Sequence, residues 1–415
     1  MMKKLGFVVL AIVMMQSVFA QKKGIQFIRG KSWNEILAQA QKENKYVFVD
    51  AFTTWCGPCK YMSNVVFTDE ELGNFFSAKF ISVSYQLDST KKDDELTKRQ
   101  YAEAAQLVKK YKINSYPTLL YFTPKGELMD KLLTACEVET FLAFSKKAIN
   151  PDSAFYVLKG KFDKGTIKDP SDLYNLAIEA SRLQDKGLSA YALKYIRTQK
   201  DMMNETNIQF LKKTTKQLSD TGLKIIVANE EVIDAKLKIG ATNDLVVRTL
   251  FNSKLSEFEK LIKAGLEPNW TNIEKEFTVT YPKYSKLATL FAKALYYNQV
   301  KKLDKKINYT FEYLSTSPSS LDAGTLNEWA MSVYTGSMDK DLLNKALFIS
   351  KKSLEDGEAA EFLDTYACIL YKLGRTEEGI EWETKALSKA TTDIDYYKKT
   401  IEQMKKGDKI WENQQ

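Results

Sequence analysis

The sequence predicts an α/β domain followed by an all-α region, and three observations carry that expectation. Up to about residue 150, short apolar runs rich in valine and aromatic residues alternate with stretches of helical spacing, the order of a layered α/β domain. Within that part, residues 46–52 read as a buried strand that stops in the polar turn Thr53-Thr54 and restarts as Trp55-Cys56-Gly57-Pro58-Cys59-Lys60. Two cysteines so spaced, at the junction of a strand and a helix, are the layout of a dithiol redox site. From Ser153 onward the alternating pattern of strands almost vanishes and helical windows dominate.

In chain order, 25–28 is a weak strand, and Ser32-Trp33-Asn34-Glu35 is a capping box in which serine and glutamate each satisfy an orphan N–H. Trp33, Ile36, Leu37 and Ala40 then form one apolar helix face up to about Glu43. After the cysteines the helix continues through Tyr61, Met62, Val65 and Val66, with Pro58 in a first turn that needs no N–H from it. A second capping box, Thr68-Asp69-Glu70-Glu71, opens a short helix carrying Leu72, Phe75 and Phe76, and 80–85 is a strand. The charged run 88–100 is a solvated loop or helix face, or else an insertion that shapes access to the site. A helix over 102–111, the loop Tyr116-Pro117-Thr118, a strand over 119–122, a hairpin turn at Lys125-Gly126-Glu127 and a helix over 138–149 follow.

Pro151-Asp152 marks the predicted boundary between a domain at 21–150 and a helical domain at 151–415. Helical windows fall at 173–183, 191–196, 255–261 and 287–297, with loops at 168–171 and 315–320. Near the C-terminus, Ala367, Leu370, Tyr371, Gly374, Gly379, Ala386 and Leu387 are spaced like the packing residues of a tetratricopeptide repeat. A weaker copy over 326–354 carries an insertion around 336–339, so tetratricopeptide-like repeats are expected near 326–387.

Composition excludes several chemistries. With no histidine among 415 residues there is no Cys-His or Ser-His nucleophile pair and no histidine metal ligand. A net charge of +8 dispersed over mixed Lys/Glu helices, without a basic stripe, argues against nucleic-acid binding. A four-sulfur zinc site would need Cys136 and Cys368 to converge on the CxxC pair, so no metal is expected. Cys368 reads as an inert buried thiol, whereas Cys136 is open to a reactive role. Lys3-Lys4, an apolar stretch over 6–15 and the small-residue site Val18-Phe19-Ala20 predict a signal peptide over 1–20, cleaved near Ala20. The expected mature chain starts near Gln21 and is periplasmic.

The WCGPCK hexapeptide, together with Asp50 six residues before Cys56 and the Tyr116-Pro117-Thr118 loop before an apolar strand, resembles the thioredoxin family over roughly 24–150. The resemblance implies a thioredoxin-like sandwich in which Cys56 and Cys59 are a redox-active pair that needs no cofactor. It also implies a buried acid at Asp50, a cis peptide at Pro117, and Trp55 and Tyr116 rimming a groove for extended substrates. One departure stands out: where that family often has a lysine near the buried acid, this chain has Ser84.

On these residues Cys56 is the expected exposed attacker, whose thiolate opens a substrate disulfide, and Cys59 is the resolving thiol. Asp50, if buried, has a raised pKa and can serve as the base for Cys59; the alternative is a strand-end acid in solvent. The expected partners are client proteins with disulfides and, for a reductant in an oxidising compartment, a membrane electron donor. Gly57-Pro58 resembles reducing thioredoxins, which favours the reducing direction. A second reading makes the helical region a protein-binding scaffold and the CxxC a structural or accessory disulfide.

Overall fold

A computed structural model describes residues 24–317, 321–355 and 357–412; the predicted signal peptide lies outside the described residues. The chain divides into two units, the first ending at Thr198 and the second beginning at Gln199.

The first unit is built on a five-stranded sheet of β1 (Phe27–Ile28), β2 (Tyr46–Phe52), β3 (Phe80–Gln86), β4 (Thr118–Phe122) and β5 (Leu128–Leu132). Its spatial order is β1-β3-β2-β4-β5, with β1, β3 and β2 parallel and β4 and β5 antiparallel to their neighbours. Successive side chains of a strand point to opposite faces. Val47, Val49 and Ala51 of β2 therefore join Ile81, Val83 and Tyr85 of β3 under α1 (Trp33–Glu43) and α4 (Glu95–Tyr111). Phe48 falls on the other face, with Met62, Val66, Phe76 and Phe141, under α2 (Gly57–Tyr61), α3 (Glu70–Lys79) and α5 (Val138–Ala148). Phe48 packs edge-on against Phe76 at 4.9 Å between ring centres, an arrangement that aromatic quadrupoles favour. Asp50 shares the parity of Phe48, so the strand period alone sends the acid to the face that carries α2.

Several predicted details hold and some move. The Ser32–Glu35 capping box is present in both directions. The second cap is Asp69, one residue later than expected, which accepts from Leu72 N–H, while the Thr68 hydroxyl donates back to Val65 O at 2.7 Å. The helix after the cysteines is broken: α2 passes into one turn of π-helix over Met62–Val66. Half of the charged run at 88–100 is helix, because Asp94 caps α4 by accepting from Thr97 N–H. The remainder is a loop tied by Asp93, whose carboxylate accepts from Thr90 N–H at 2.7 Å.

The compact unit that contains the sheet continues past residue 150. It runs through α6 (Phe155–Asp163), α7 (Pro170–Leu183) and α8 (Leu188–Ile196). The tie is Asp130 of β5, which is fully buried. Its carboxylate accepts from Phe155 N–H at 3.1 Å and pairs with Lys147 of α5 and Arg182 of α7, each at 3.3 Å. Glu179 bridges the same two cations at 2.8 and 2.6 Å. A buried charge so enclosed is costly to strip of any partner, which holds α5, α6 and α7 to the sheet edge.

The second unit is helical throughout its described residues. It comprises α9 (Glu205–Thr214), α10 (Thr221–Ala228), α11 (Glu230–Lys236), α12 (Ala241–Ala264), α13 (Trp270–Thr280), α14 (Ser285–Gln299), α15 (Leu303–Thr316), α16 (Ala323–Gly336), α17 (Lys340–Ser353), α18 (Ala360–Lys372), α19 (Thr376–Lys389) and α20 (Ile394–Lys406). The residues around 336–339 are no insertion: they are the turn between α16 and α17, closed by Asp339, which accepts from Asp341 and Leu342 N–H. In the last hairpin, a Cβ on Gly379 would lie 3.0 Å from Tyr371 Cβ and 3.1 Å from Ala367 O. Any larger residue at 379 would make α18 and α19 give by a few tenths of an ångström.

Candidate active site

The site is assembled at the C-terminal end of β2. Thr53-Thr54 turns the chain away from the sheet, and Asp88, just past β3, fixes that turn by accepting from the Thr54 N–H at 3.0 Å and from the Thr54 hydroxyl. Asp88 is a residue the sequence reading passed over; its position two residues beyond a strand parallel to β2 is the signal that could have found it. Trp55 follows, 68% exposed, and Cys56 occupies the N-cap of α2. Pro58 lies in the first turn, as its missing N–H allows.

Cys56 and Cys59 are joined in a disulfide. The Cys59 N–H donates to Cys56 Sγ at 3.1 Å, so a free helix-start donor already points at the first sulfur. Such a donor favours a thiolate at Cys56 in the reduced form. The expectation that Cys56 is exposed is not met: the two residues are 4% and 5% exposed, and exposure does not distinguish them. Cys136 is half-buried, and burial reinforced by Glu137 pushes its thiol up, which disfavours a reactive role. Cys368 is fully buried.

Asp50 is not a solvent-facing strand end. It is buried in β2, paired in register with Ser84 of β3 on one side and Leu119 of β4 on the other. Burial pushes its pKa from 3.8 up to about 7, partly opposed by the Ser84 hydroxyl, which donates to Asp50 Oδ2 at 3.0 Å. The residue that departs from the thioredoxin pattern is thus the acid's hydrogen-bond partner. Asp50 and Ser84 line a cavity of about 440 Å³ together with Cys59, Lys60 and the apolar side chains of Ile25, Phe27, Phe52 and Phe67. The acid and the second cysteine therefore face one space, whose walls are mostly apolar.

The Tyr116–Pro117 peptide is cis. Thr118, next in sequence, pairs with Ala51, so the proline loop enters the sheet beside the strand that carries Asp50. The Tyr116 ring meets the Trp55 ring edge-on at 5.6 Å. The structure thus brings Trp55 and Tyr116 together at the rim, Cys56 and Cys59 together in the bond, and Asp50 with Cys59 around the cavity.

A family model described as a thioredoxin-like domain matches residues 33–149. The chain is 32% identical to the thioredoxin of Mycoplasmoides gallisepticum over 95 residues, 23% of this chain and 76% of that protein. It is 30% identical to the chloroplastic M-type thioredoxin of Spinacia oleracea over 129 residues, 31% of this chain and 60% of the relative. A protein disulfide-isomerase of Schizosaccharomyces pombe is 25% identical over 177 residues, 41% of this chain and 44% of that protein. A solution structure described as that of a candidate disulphide-isomerase from Bacteroides thetaiotaomicron is 35% identical, covering 32% of this chain and 98% of that chain, with a TM-score of 0.26. The chain belongs to the thioredoxin-like family. It spans 60% and 44% of the spinach and S. pombe relatives, and the family model ends at residue 149.

Proposed function

We propose that the protein is an exported thiol-disulfide oxidoreductase that acts on protein disulfides, in the reducing direction, and that its second unit selects partners. The observation that carries the reading is the Cys56–Cys59 bond at a helix start, with a buried acid facing the same cavity as Cys59. In the reduced form the Cys56 thiolate attacks one sulfur of a substrate disulfide. The substrate S–S bond breaks, a mixed disulfide forms on Cys56, and the departing thiolate takes a proton from solvent. Cys59 then loses its proton to Asp50 and attacks Cys56 Sγ. This closes the Cys56–Cys59 bond and releases the second substrate thiol, so that two electrons have passed to the substrate. An acid poised near 7 suits that proton transfer at neutral pH. Trp55 and Tyr116 offer an apolar rim to the substrate chain.

Export rests on the sequence of residues 1–20, and periplasmic location on the same segment. A reductant in an oxidising compartment needs an electron supply, for which a membrane dithiol donor has the right chemistry. Stacked helix pairs of tetratricopeptide-like character present extended binding surfaces, which supports partner selection by the helical unit. The purified chain, given a dithiol donor, should reduce the interchain disulfides of insulin, and Cys56→Ser should abolish the activity. Turnover that survives in Cys56→Ser would refute the assignment.

A second reading is favoured by one observation, the 4% exposure of Cys56. In it the CxxC is a structural disulfide and the helical unit works alone. That reading requires the Cys56–Cys59 bond to resist reduction by millimolar dithiothreitol in the folded protein, as ready reduction would exclude it.

A further inference from the structure

The last hairpin of the helical unit holds a group of side chains that the redox reading does not use. Asp364 and Cys368 lie four residues apart on α18, a spacing that puts both on one helix face. Glu383 reaches them from α19. One carboxylate oxygen from each acid and the Cys368 sulfur all lie within 4.8 Å of one another. The Cys368 thiol contacts Asp364 Oδ1 at 3.6 Å, and the Tyr396 hydroxyl of α20 reaches the same oxygen at 3.4 Å.

Glu383 is the feature that demands an explanation. It is 0% exposed, and neither of its carboxylate oxygens accepts a hydrogen bond from any N–H or O–H of the described residues. Its neighbour in the cluster is a second carboxylate, buried to 6% exposure. Buried acids without donors are expensive, and two side by side are more so. No arginine or lysine belongs to the cluster, so Asp364 and Glu383 either share a proton or hold a cation between them.

We propose that Asp364, Cys368 and Glu383 form a binding site for a divalent transition-metal ion of zinc type. Two carboxylate oxygens and one thiolate are three ligands of the kinds Zn²⁺ takes in four-coordinate sites. The sulfur selects against Mg²⁺ and Ca²⁺, which take oxygen. The donor atoms, all within 4.8 Å of one another, need draw in by only about an ångström to share one ion at bond lengths of about 2.0–2.3 Å. The fourth position is open to a water or to the Tyr334 hydroxyl, which faces Cys368 from α16. The ion would clamp α18 to α19 at the hairpin where Gly379 brings them into close contact. The site is separate from the CxxC and stands whether or not the redox reading does.

The test uses the full-length chain carrying Cys56→Ser and Cys59→Ser, so that the only remaining sulfurs of cysteine are Cys136 and Cys368. Titration with Co²⁺ as the probe should bind one equivalent and give a thiolate-to-cobalt absorption band in the near ultraviolet, displaced by Zn²⁺. Cys368→Ser should lose the band while Cys136→Ser keeps it. Glu383→Gln keeps the side chain's shape and lets its amide donate to Asp364, so it should fold; its affinity should fall at least about ten-fold, since even outer-shell partners are worth that much. Zn²⁺ should raise the melting temperature of the starting chain more than that of Glu383→Gln. No bound metal, a band that survives in Cys368→Ser, or equal binding by Glu383→Gln would each overturn the proposal. The two carboxyl groups would then be holding a shared proton instead.

Discussion

Replacing Asp50 with asparagine should stabilise the first unit, increasingly so as the pH rises. Burial lifts the Asp50 pKa from 3.8 to about 7. Below about pH 4 both the folded and the unfolded chain hold the proton, and the substitution is close to neutral in this respect. Between pH 4 and 7 the unfolded chain releases the proton while the folded one keeps it, so the wild-type protein loses stability with rising pH. Above about pH 7 the full difference stands: roughly three pKa units at about 1.4 kcal/mol each, or on the order of 4 kcal/mol. The acid is buried, so solvent screening takes little from that figure. Asparagine has no proton to lose, and its carbonyl still accepts from Ser84. The assay is urea unfolding of the oxidised protein at pH 4.5, 6 and 8, followed by hydrogen exchange of the β2 amides so that the first unit is read by itself. The advantage of Asp50→Asn should grow by a few kcal/mol across that range and level off above pH 7. An advantage that does not change with pH would mean that Asp50 is ionised throughout, and the acid/base role would lose its physical basis.

Other consequences are open to measurement. Ser84→Ala removes the hydrogen bond that holds the Asp50 pKa down, so the pH profile of the resolving step should move to higher pH; a shift downward would contradict the pairing. A chain ending at Asn150 deprives buried Asp130 of Phe155 N–H and Arg182, which should cost about 3–5 kcal/mol by the usual penalty for breaking a buried pair. A chain ending at Thr198 should keep that stability, and equal melting of the two would refute the wider boundary. Gly379→Val puts a branched side chain where a single Cβ already lies 3.0 Å from Tyr371 Cβ. It should destabilise the second unit by about 1–3 kcal/mol through overpacking, visible in its denaturation midpoint.

The parts of the fold that are local in sequence were legible there. The apolar run 46–52 marked β2 as a buried strand, the capping box at Ser32 fixed the start of α1, and the WCGPCK stretch announced the strand–helix junction. Asp50 could be named because the resemblance to the thioredoxin family implies a buried acid there; the run 46–52 by itself left a strand-end acid in solvent open. What escaped depends on partners distant along the chain. Asp130 looks like an ordinary polar alternation in a strand, and only Lys147, Phe155 and Arg182, 17 to 52 residues away, turn it into the anchor that carries the first unit past residue 150. Asp88 was hidden in a run of charges because its target, Thr54, lies 34 residues upstream. Glu383 drew no reading from the sequence, although its helix turns it inward. The exposure expected of Cys56 was an inference from its reduced role, and the bonded pair is packed differently.

The central claim is that Cys56 attacks and Cys59 resolves, and mixed-disulfide trapping tests it most directly. Cys59→Ser, expressed from the full-length sequence and folded, should retain attack but not release, and should therefore accumulate covalent complexes with client proteins. These would run as high-mass bands that dithiothreitol collapses, and they should disappear when Cys56→Ser is added. If Cys59→Ser traps no client, or if the bands persist without Cys56, the order of the two sulfurs and the oxidoreductase reading are both contradicted.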